Sequence, residues 1–266
     1  MQTATPWHAR LARALAIVLP IFLACAALGT KFGLWGWQLG LGAFGLGGLI
    51  LIGLTALTAL VSIALILRKR SRLGLVSSIF ALLVALGFVG LFAPAILGGG
   101  QHPIHDMATD TANPPQFSPE TLAARAQAGA NPLNPYDAKL GETEQFAEAE
   151  GALAQQTTAD VIAANYPELE PLGINETPAN EAVNAVQLAM ADMGFSGIRY
   201  FPESGTVEGL AETFWFGFED DVVARIADGQ IDFRSVSRVG RSDLGANAKR
   251  IMELRRRVAE RLGLNP

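Results

Sequence analysis

The first hundred residues of this 266-residue chain contain no aspartate and no glutamate. They hold seven lysines and arginines, so this part carries a formal charge of +7. The remainder holds 13 lysines and arginines against all 25 acidic residues, a charge of −12 that accounts for the total of −5. The chain therefore joins an apolar, acid-free part to an acidic part with the composition of a water-exposed domain.

Cysteine and histidine are also scarce. Cys25 is the only cysteine, which excludes an intramolecular disulfide and a cysteine-rich zinc site. Residues 106–266 contain neither histidine nor cysteine, so a serine nucleophile there lacks its usual base. The sequence has no phosphate-cradling glycine loop and no nucleotide fingerprint, and we expect no cofactor.

Three long apolar runs occupy the acid-free part, at residues 11–28, 39–67 and 73–97. Each is close to or above the roughly 20 residues that a helix needs to cross a bilayer. We therefore predict a membrane anchor with three transmembrane helices over residues 1–97. Small residues four positions apart, such as Gly36 and Gly40, allow close helix packing within this bundle or, alternatively, in a homodimer.

The cations predict the orientation of these helices. Arg10 and Arg13 lie at the start of the first run and the sequence RKRSR, residues 68–72, separates the second from the third, whereas the first loop has only Lys31. The positive-inside rule places the N terminus and RKRSR in the cytoplasm and everything after residue 97 outside it. In a Gram-negative bacterium this is an inner-membrane protein with a periplasmic C-terminal domain. The alternative is a cleaved signal peptide over residues 1–28, which the cation pattern favours less.

Residues 98–170 have the composition of a linker and wrapping segment. The stretch QHPIHDMATDTANPPQF is rich in turn-forming residues, and residues 118–156 predict short helices broken by NPLNPYD. His102, His105, Asp106 and Asp110 form an H-x2-H-D-x3-D cluster that could bind a metal ion. The alternative interpretation is a capping and turn-forming segment at the membrane surface.

Residues 171–266 have the pattern of an α+β domain. A helix is predicted from Thr177 to Gly194, and four strands follow at residues 196–203, 206–218, 221–227 and 230–239. Short turns between these strands make neighbours antiparallel. A second helix begins near Asp243 and ends at about Leu262. This order predicts a two-layer α+β domain, in which helices flank a four-stranded antiparallel sheet.

The end of the last strand carries most of the candidate binding groups. Five residues, Arg238, Arg241, Ser242, Asp243 and Asn247, meet between a strand end and a helix N terminus, where free backbone N–H groups attract anions. This placement predicts a site for a small anion or another ligand. The Asp243 carboxylate can, however, occupy the same donors, and arginines such as Arg234 can pair with carboxylates on neighbouring strands. The sequence is thus compatible with a binding site and with internal bracing.

The run RSVSRVGRSDLGANAKRI, with WFGFEDDVVARI before it and HPIHDMATDTANPPQF upstream, resembles the domain of unknown function 1499 family. The resemblance covers about residues 102–262. It implies a bacterial envelope or plastid protein, often with N-terminal membrane helices. It supplies no catalytic residues that could be transferred to this chain.

These observations favour a binding or scaffold module without chemistry of its own. Asp220 and Asp221 are adjacent on a strand and point to opposite faces, an arrangement unsuited to an acid and base pair. The alternative is an envelope enzyme that acts on a periplasmic substrate through serines such as Ser235, Ser237 or Ser242.

The predicted partners are the lipid bilayer and, as alternatives to each other, another envelope protein or a small anion. The acidic excess before residue 230 argues against nucleic acid. The arginines of the last helix, Arg255, Arg256, Arg257 and Arg261, are either a solvated helix face or a contact for anionic lipid headgroups. The oligomeric state does not follow from the sequence.

Overall fold

The computed structural model describes residues 5–69, 71–98, 104–174 and 177–265. The chain forms two compact units. The first, which we call the helical unit, comprises Met1–Leu97 together with Thr213–Gly217. The second, the sheet unit, comprises Gly98–Glu212 and Phe218–Pro266.

The helical unit consists of long apolar helices. Their bounds are α1 Trp7–Lys31, α2 Trp37–Gly42, a π-helical turn Ala43–Gly47, α3 Gly48–Lys69 and α4 Arg72–Gly98. Because α2, the π turn and α3 are continuous, three segments are long and apolar enough to cross a membrane, namely Trp7–Lys31, Trp37–Arg68 and Arg72–Ala93. The prediction of three long apolar helices is confirmed.

Small side chains bring these helices together. Ala12, Ala16, Ala59 and Ala81 are buried against one another between the helices. At Gly40 the approach is so close that a Cβ atom would lie 1.8 Å from the Thr30 Oγ1 atom, so a larger residue would require the Thr30 side chain to move. Apolar side chains on the outer faces of these helices are exposed, as expected of surfaces that face lipid.

The sheet unit is built on six antiparallel strands rather than the four that the sequence predicted. Their bounds are β1 Asp106–Ala108, β2 Leu172–Gly173, β3 Ser196–Phe201, β4 Thr206–Glu212, β5 Glu219–Ala227 and β6 Gln230–Ser237. The order is β1-β6-β5-β4-β3, and β2 also pairs with β6. The two additional strands have three and two residues, too few to show an alternating pattern.

The connection between β4 and β5 also differs from the prediction. The sequence predicted one strand as far as residue 218 and the next from residue 221, but β4 ends at Glu212 and β5 already begins at Glu219. The intervening loop closes with a hydrogen bond from Gly217 N to Thr213 O at 3.0 Å. High β-propensity of aromatic residues produced this error, because propensity does not show where pairing stops.

Two helices pack on one face of the sheet, which we call the helix face. These are α8 Ala179–Asp192 and α9 Ala246–Leu262. The large side chains of Phe233 on β6 and of Met190, Ile251 and Leu254 on the helices are fully buried there. Each such side chain contributes about 1.5–3 kcal/mol by its removal from water.

The opposite face of the sheet is covered as well. Residues 110–133, which we call the covering segment, include the helix α5 Pro119–Gln127. Phe117 of this segment packs against Val223 and Val236 of the sheet. Two further helices, α6 Gly151–Gln155 and α7 Thr158–Asn165, belong to the chain between the covering segment and β2. The central strands are therefore buried on both faces, and any polar side chain on them requires a partner.

Candidate functional site

The polar residues that the sequence analysis identified lie on both faces of β6 and β5. Because side chains alternate along a strand, Ser235 and Ser237 point to the helix face, whereas Arg234 and Arg238 point to the opposite face. The adjacent strand pairs Asp220 with Ser237 and Asp221 with Val236. Each face thus receives one of the two adjacent carboxylates, as the sequence predicted.

On the helix face, Asn247 of α9 is the centre of a buried cluster that also includes Asp220, Ser235, Ser237 and Arg250. Its side-chain oxygen accepts a hydrogen bond from Ser235 Oγ at 2.6 Å, and its Nδ2 donates to Ser237 Oγ at 2.9 Å. Arg250 pairs with Asp220 at 2.6 Å and donates to Ser235 Oγ at 3.0 Å. We call this group the helix-face cluster. It joins α9 to the ends of β5 and β6.

On the opposite face, Arg234 forms a buried ion pair with Asp106 of β1. Its Nε and Nη2 atoms donate to the two carboxylate oxygens at 3.0 and 2.7 Å, and Nη1 donates to Pro115 O at 3.1 Å. The guanidinium lies between the rings of Phe117 and Tyr136, at 5.5 and 5.3 Å from their centroids. Burial alone would lower the pKa of Arg234, but the Asp106 carboxylate more than offsets this, and the net pKa is raised.

Tyr136 completes this arrangement. Its hydroxyl donates to Asp106 Oδ1 at 2.5 Å, so both guanidinium and phenol are bound to one carboxylate. Burial raises the pKa of Tyr136 well above its ordinary value, and the charge of Asp106 adds to this effect. The phenol is therefore a fixed donor rather than a base.

Asp221 is held by two arginines on the same face. Arg125 of α5 donates to its Oδ2 atom at 2.6 Å, and Arg238 binds both oxygens at 2.9 and 2.8 Å. Arg238 also pairs with Glu219. Hydrogen bonds from its guanidinium to Asp221 raise the pKa of Arg238. We call the set Asp106, Arg125, Asp221, Arg234 and Arg238 the opposite-face cluster.

The Glu208 carboxylate anchors the covering segment, a role that the sequence analysis missed. Glu208 is only 3% exposed, and it accepts hydrogen bonds from Ser118 N at 2.5 Å, Ser118 Oγ at 2.9 Å and Thr121 Oγ1 at 2.5 Å. It thereby supplies a negative charge to the N terminus of α5, where the helix dipole favours one. The sequence Ser118-Pro119-Glu120-Thr121, typical of a helix start, was the available signal.

The five residues of the predicted anion site do not converge on one point in the structure. Arg238 is directed to the opposite face, whereas Asn247 is buried on the helix face. Asp243 accepts hydrogen bonds from Gly245 N at 2.8 Å and Asn247 N at 2.7 Å, so its carboxylate occupies donors at the start of α9. Burial raises the pKa of Asp243, and these two backbone hydrogen bonds act against that rise.

The other two residues of the predicted anion site lie near the start of α9. Arg241 is exposed, and Ser242 Oγ accepts a hydrogen bond from Leu244 N at 3.2 Å. The anion site stays a prediction, and this geometry favours the bracing alternative.

The four residues of the predicted metal site are engaged in different ways. Asp106 is bound by Arg234, and Asp110 caps a turn by accepting from Ala112 N at 3.1 Å while pairing with Arg225 at 3.2 Å. His102 lies outside the described residues. Among the described residues, no three His, Cys, Asp or Glu side chains are grouped to hold a metal ion. The metal site stays a prediction that the surroundings of Asp106 and Asp110 do not support.

Comparison with known proteins shows the family to which the chain belongs. A family model described as "Protein of unknown function (DUF1499)" matches residues 106–258, more than half of the chain. The chain belongs to the DUF1499 family. No curated protein and no solved structure matches. The DUF1499 region begins at the first residue of β1 and ends within α9, so it includes both polar clusters and excludes the three long apolar helices.

One buried side chain just before the DUF1499 region is not part of either cluster. The His105 imidazole is 4% exposed, and neither ring nitrogen meets hydrogen-bond geometry with any partner in the described part of the chain. It borders a cavity of about 10 Å³, the volume of about one water molecule, between Pro132, Leu140 and Phe146. Burial lowers the pKa of His105, although Asp106 and the nearby Arg241 carbonyl raise it in part.

The chemical capacity of these DUF1499 clusters is therefore limited. Each buried carboxylate in them accepts hydrogen bonds from at least one arginine, and the buried hydroxyls of Ser235 and Ser237 are bonded to Asn247. A general acid or base needs a titratable group that reaches a reacting atom, and these groups are instead directed at one another. The arrangement is well suited to joining the covering segment, the sheet and α9.

Proposed function

We propose that this DUF1499 protein is a multi-pass inner-membrane protein that presents a non-enzymatic binding or scaffold module in the periplasm of a bacterium. The observation that carries the proposal is the mutual pairing of the polar residues in the run RSVSRVGRSDLGANAKR. Arg234, Ser235, Ser237, Arg238 and Asn247 all bind other parts of the fold. A module whose most distinctive polar residues stabilise its own structure is a rigid platform, and it binds through its surface.

The proposed location is supported by the cations that flank the three apolar helices. Arg10, Arg13 and the cations at residues 68–72 lie at ends that face the same side if the helices cross a bilayer in turn. Residues beyond α4 then lie on the other side. The exterior position also agrees with the acidic composition of that part.

Two reporter fusions test the location. We expect an export-dependent reporter joined after residue 266 to be active, and a cytosolic reporter at the same place to be silent. The matched control is a fusion within residues 68–72, for which the two reporters exchange their behaviour. A cytosolic reporter that is active after residue 266 would refute the periplasmic location.

A turnover experiment tests the non-enzymatic part against the envelope-enzyme alternative. The purified full chain is incubated with cell-wall and lipid fragments, and we expect no product. Product formation that is abolished by Asp220→Asn or Ser235→Ala, in a variant that still folds, would establish an enzyme and overturn the proposal.

A further inference from the structure

The loop between β4 and β5 presents aromatic side chains to its surroundings. Its sequence is Thr213-Phe-Trp-Phe-Gly217, and Phe214 and Trp215 are 74% and 54% exposed. These are the largest exposed fractions of any large apolar side chain in the described part of the chain after residue 104. Removal of these two aromatic side chains from water would be favourable, so the loop is suited to contact with an apolar surface or layer that covers them.

Contacts within the helical unit indicate what that occupant is. Lys31, the last residue of α1, donates a hydrogen bond to Phe214 O at 3.0 Å, and its Nζ atom lies 5.5 Å from the centroid of the Phe214 ring. Phe216 packs edge to face on Phe44 at 5.2 Å. The end of a membrane-crossing helix lies at the level of the lipid headgroups, where a lysine, a tryptophan and neighbouring aromatic rings are favoured together.

We propose that Thr213–Gly217 inserts its aromatic side chains into the interfacial layer of the bilayer that the three long helices cross. Trp215 places its ring among the headgroups and upper acyl chains, and Phe214 lies beside it in edge-to-face contact at 5.2 Å. The loop is then a membrane contact of the chain in addition to the three long helices.

The size of the patch favours lipid over a protein partner. Two aromatic side chains bury about 300–500 Å² together, well below the roughly 800 Å² that each side of a stable protein interface buries. The strand before the loop ends at Glu212, and the strand after it begins at Glu219. Acidic residues this close to the apolar tip favour shallow rather than deep insertion, because a carboxylate in the hydrocarbon layer is costly.

The inference rests on the three helices crossing a bilayer, but not on which side the sheet faces or on what the module binds. A failed reporter experiment would correct the orientation and leave the loop proposal standing. Failure of the loop experiment would leave the proposed location and binding role intact.

Trp215 itself is the probe for the first experiment. Trp7→Phe, Trp35→Phe and Trp37→Phe together leave it as the only tryptophan of the full chain. In nanodiscs, we expect its emission to be blue-shifted, quenched strongly by lipids brominated near the headgroup and weakly by aqueous iodide. Efficient iodide quenching without bromolipid quenching would place Trp215 in water and overturn the proposal.

A second experiment does not depend on the triple variant. In a Cys25→Ala background, nitroxide labels are attached to Phe214→Cys and, as a matched control, to Leu188→Cys on α8, which is 44% exposed. We expect the loop label to collide severalfold more with oxygen than with a water-soluble nickel chelate, and the control label to show the reverse. Equal behaviour of the two labels, or protection of the loop label from both reagents by a protein contact, would refute insertion into lipid.

Discussion

Arg234→Met is the substitution that most directly tests the bracing of the DUF1499 region. Arg234 and Asp106 are 3% and 6% exposed, so the pair is removed from water. Loss of the arginine leaves the carboxylate with the Tyr136 hydroxyl and no positive partner, and it removes the donor to Pro115 O. Breaking such a buried pair typically costs about 3–5 kcal/mol. We expect a loss of that size in the free energy of unfolding.

Adding Asp106→Asn to Arg234→Met should recover part of the loss. The amide still accepts from the Tyr136 hydroxyl, but the uncompensated charge is gone. Because charge desolvation is the main penalty in the single variant, the double variant should be more stable than Arg234→Met by about 1–3 kcal/mol, the range for one buried polar group. If the losses of the two single variants simply add, the proposed coupling is absent.

Pulse proteolysis of the full chain in micelles at increasing urea measures these differences. Membrane helices in micelles resist urea, so cleavage reports unfolding of the sheet unit. Arg261→Met is the matched control, because its ion pair with Asp192 is exposed by 33% and 50% and such surface pairs contribute less than about 1 kcal/mol. If Arg234→Met costs no more than this control, the reasoning about buried charge fails.

Two further predictions concern other buried polar groups of the sheet unit. The pKa of His105 is lowered from 6.5 in the folded state, so the unfolded state binds more protons below that pH and stability falls as pH decreases. The free energy of unfolding, measured from urea titrations between pH 7.5 and 5.5, should therefore fall with pH in the native chain by at most about 1.4 kcal/mol per pH unit. The His105→Leu variant should lose this pH dependence. An unchanged dependence in the variant would contradict the role given to His105. Asn247→Leu removes the donor to Ser237 Oγ and should cost about 1–3 kcal/mol by the same measurement. Asn165→Leu, at an exposed position with one bond to its own helix, should cost much less.

The sequence predicted those parts of the fold that depend on local patterns. The three apolar runs and the alternation in the last two strands were sufficient for the long helices, the antiparallel sheet and the opposite directions of Asp220 and Asp221. Two strands were missed because β1 and β2 are defined only by pairing with β6, a contact of residues more than 50 positions apart. Aromatic residues at 214–216 were assigned to a strand because propensity cannot distinguish a paired position from a loop.

The candidate site could be predicted only in part, for a related reason. The helix start at Asp243 is local, and the sequence predicted both an anion site there and the carboxylate that competes with it. The partners of Arg234 and Arg238 are not local: Asp106 lies 128 residues before Arg234, and Asp221 lies 17 before Arg238 on another strand. Ion pairing to a neighbouring strand was anticipated, but the contribution of the covering segment through Arg125 and Ser118 was not. Only the folded chain brings that segment onto the sheet.

The distribution of these partners gives the dense polar motif a structural role. Outside α5 the covering segment forms neither helix nor strand, and side-chain hydrogen bonds hold it on the sheet. The sheet provides three charged side chains that bind the covering segment. Glu208 binds a hydroxyl of that segment, Asp221 binds a guanidinium, and Arg234 binds a backbone carbonyl. The motif thus determines how three layers are joined. A binding or scaffold role, as proposed for this chain, would use the surface of the module, and the aromatic loop at Thr213–Gly217 is the first part of the chain's surface to be tested.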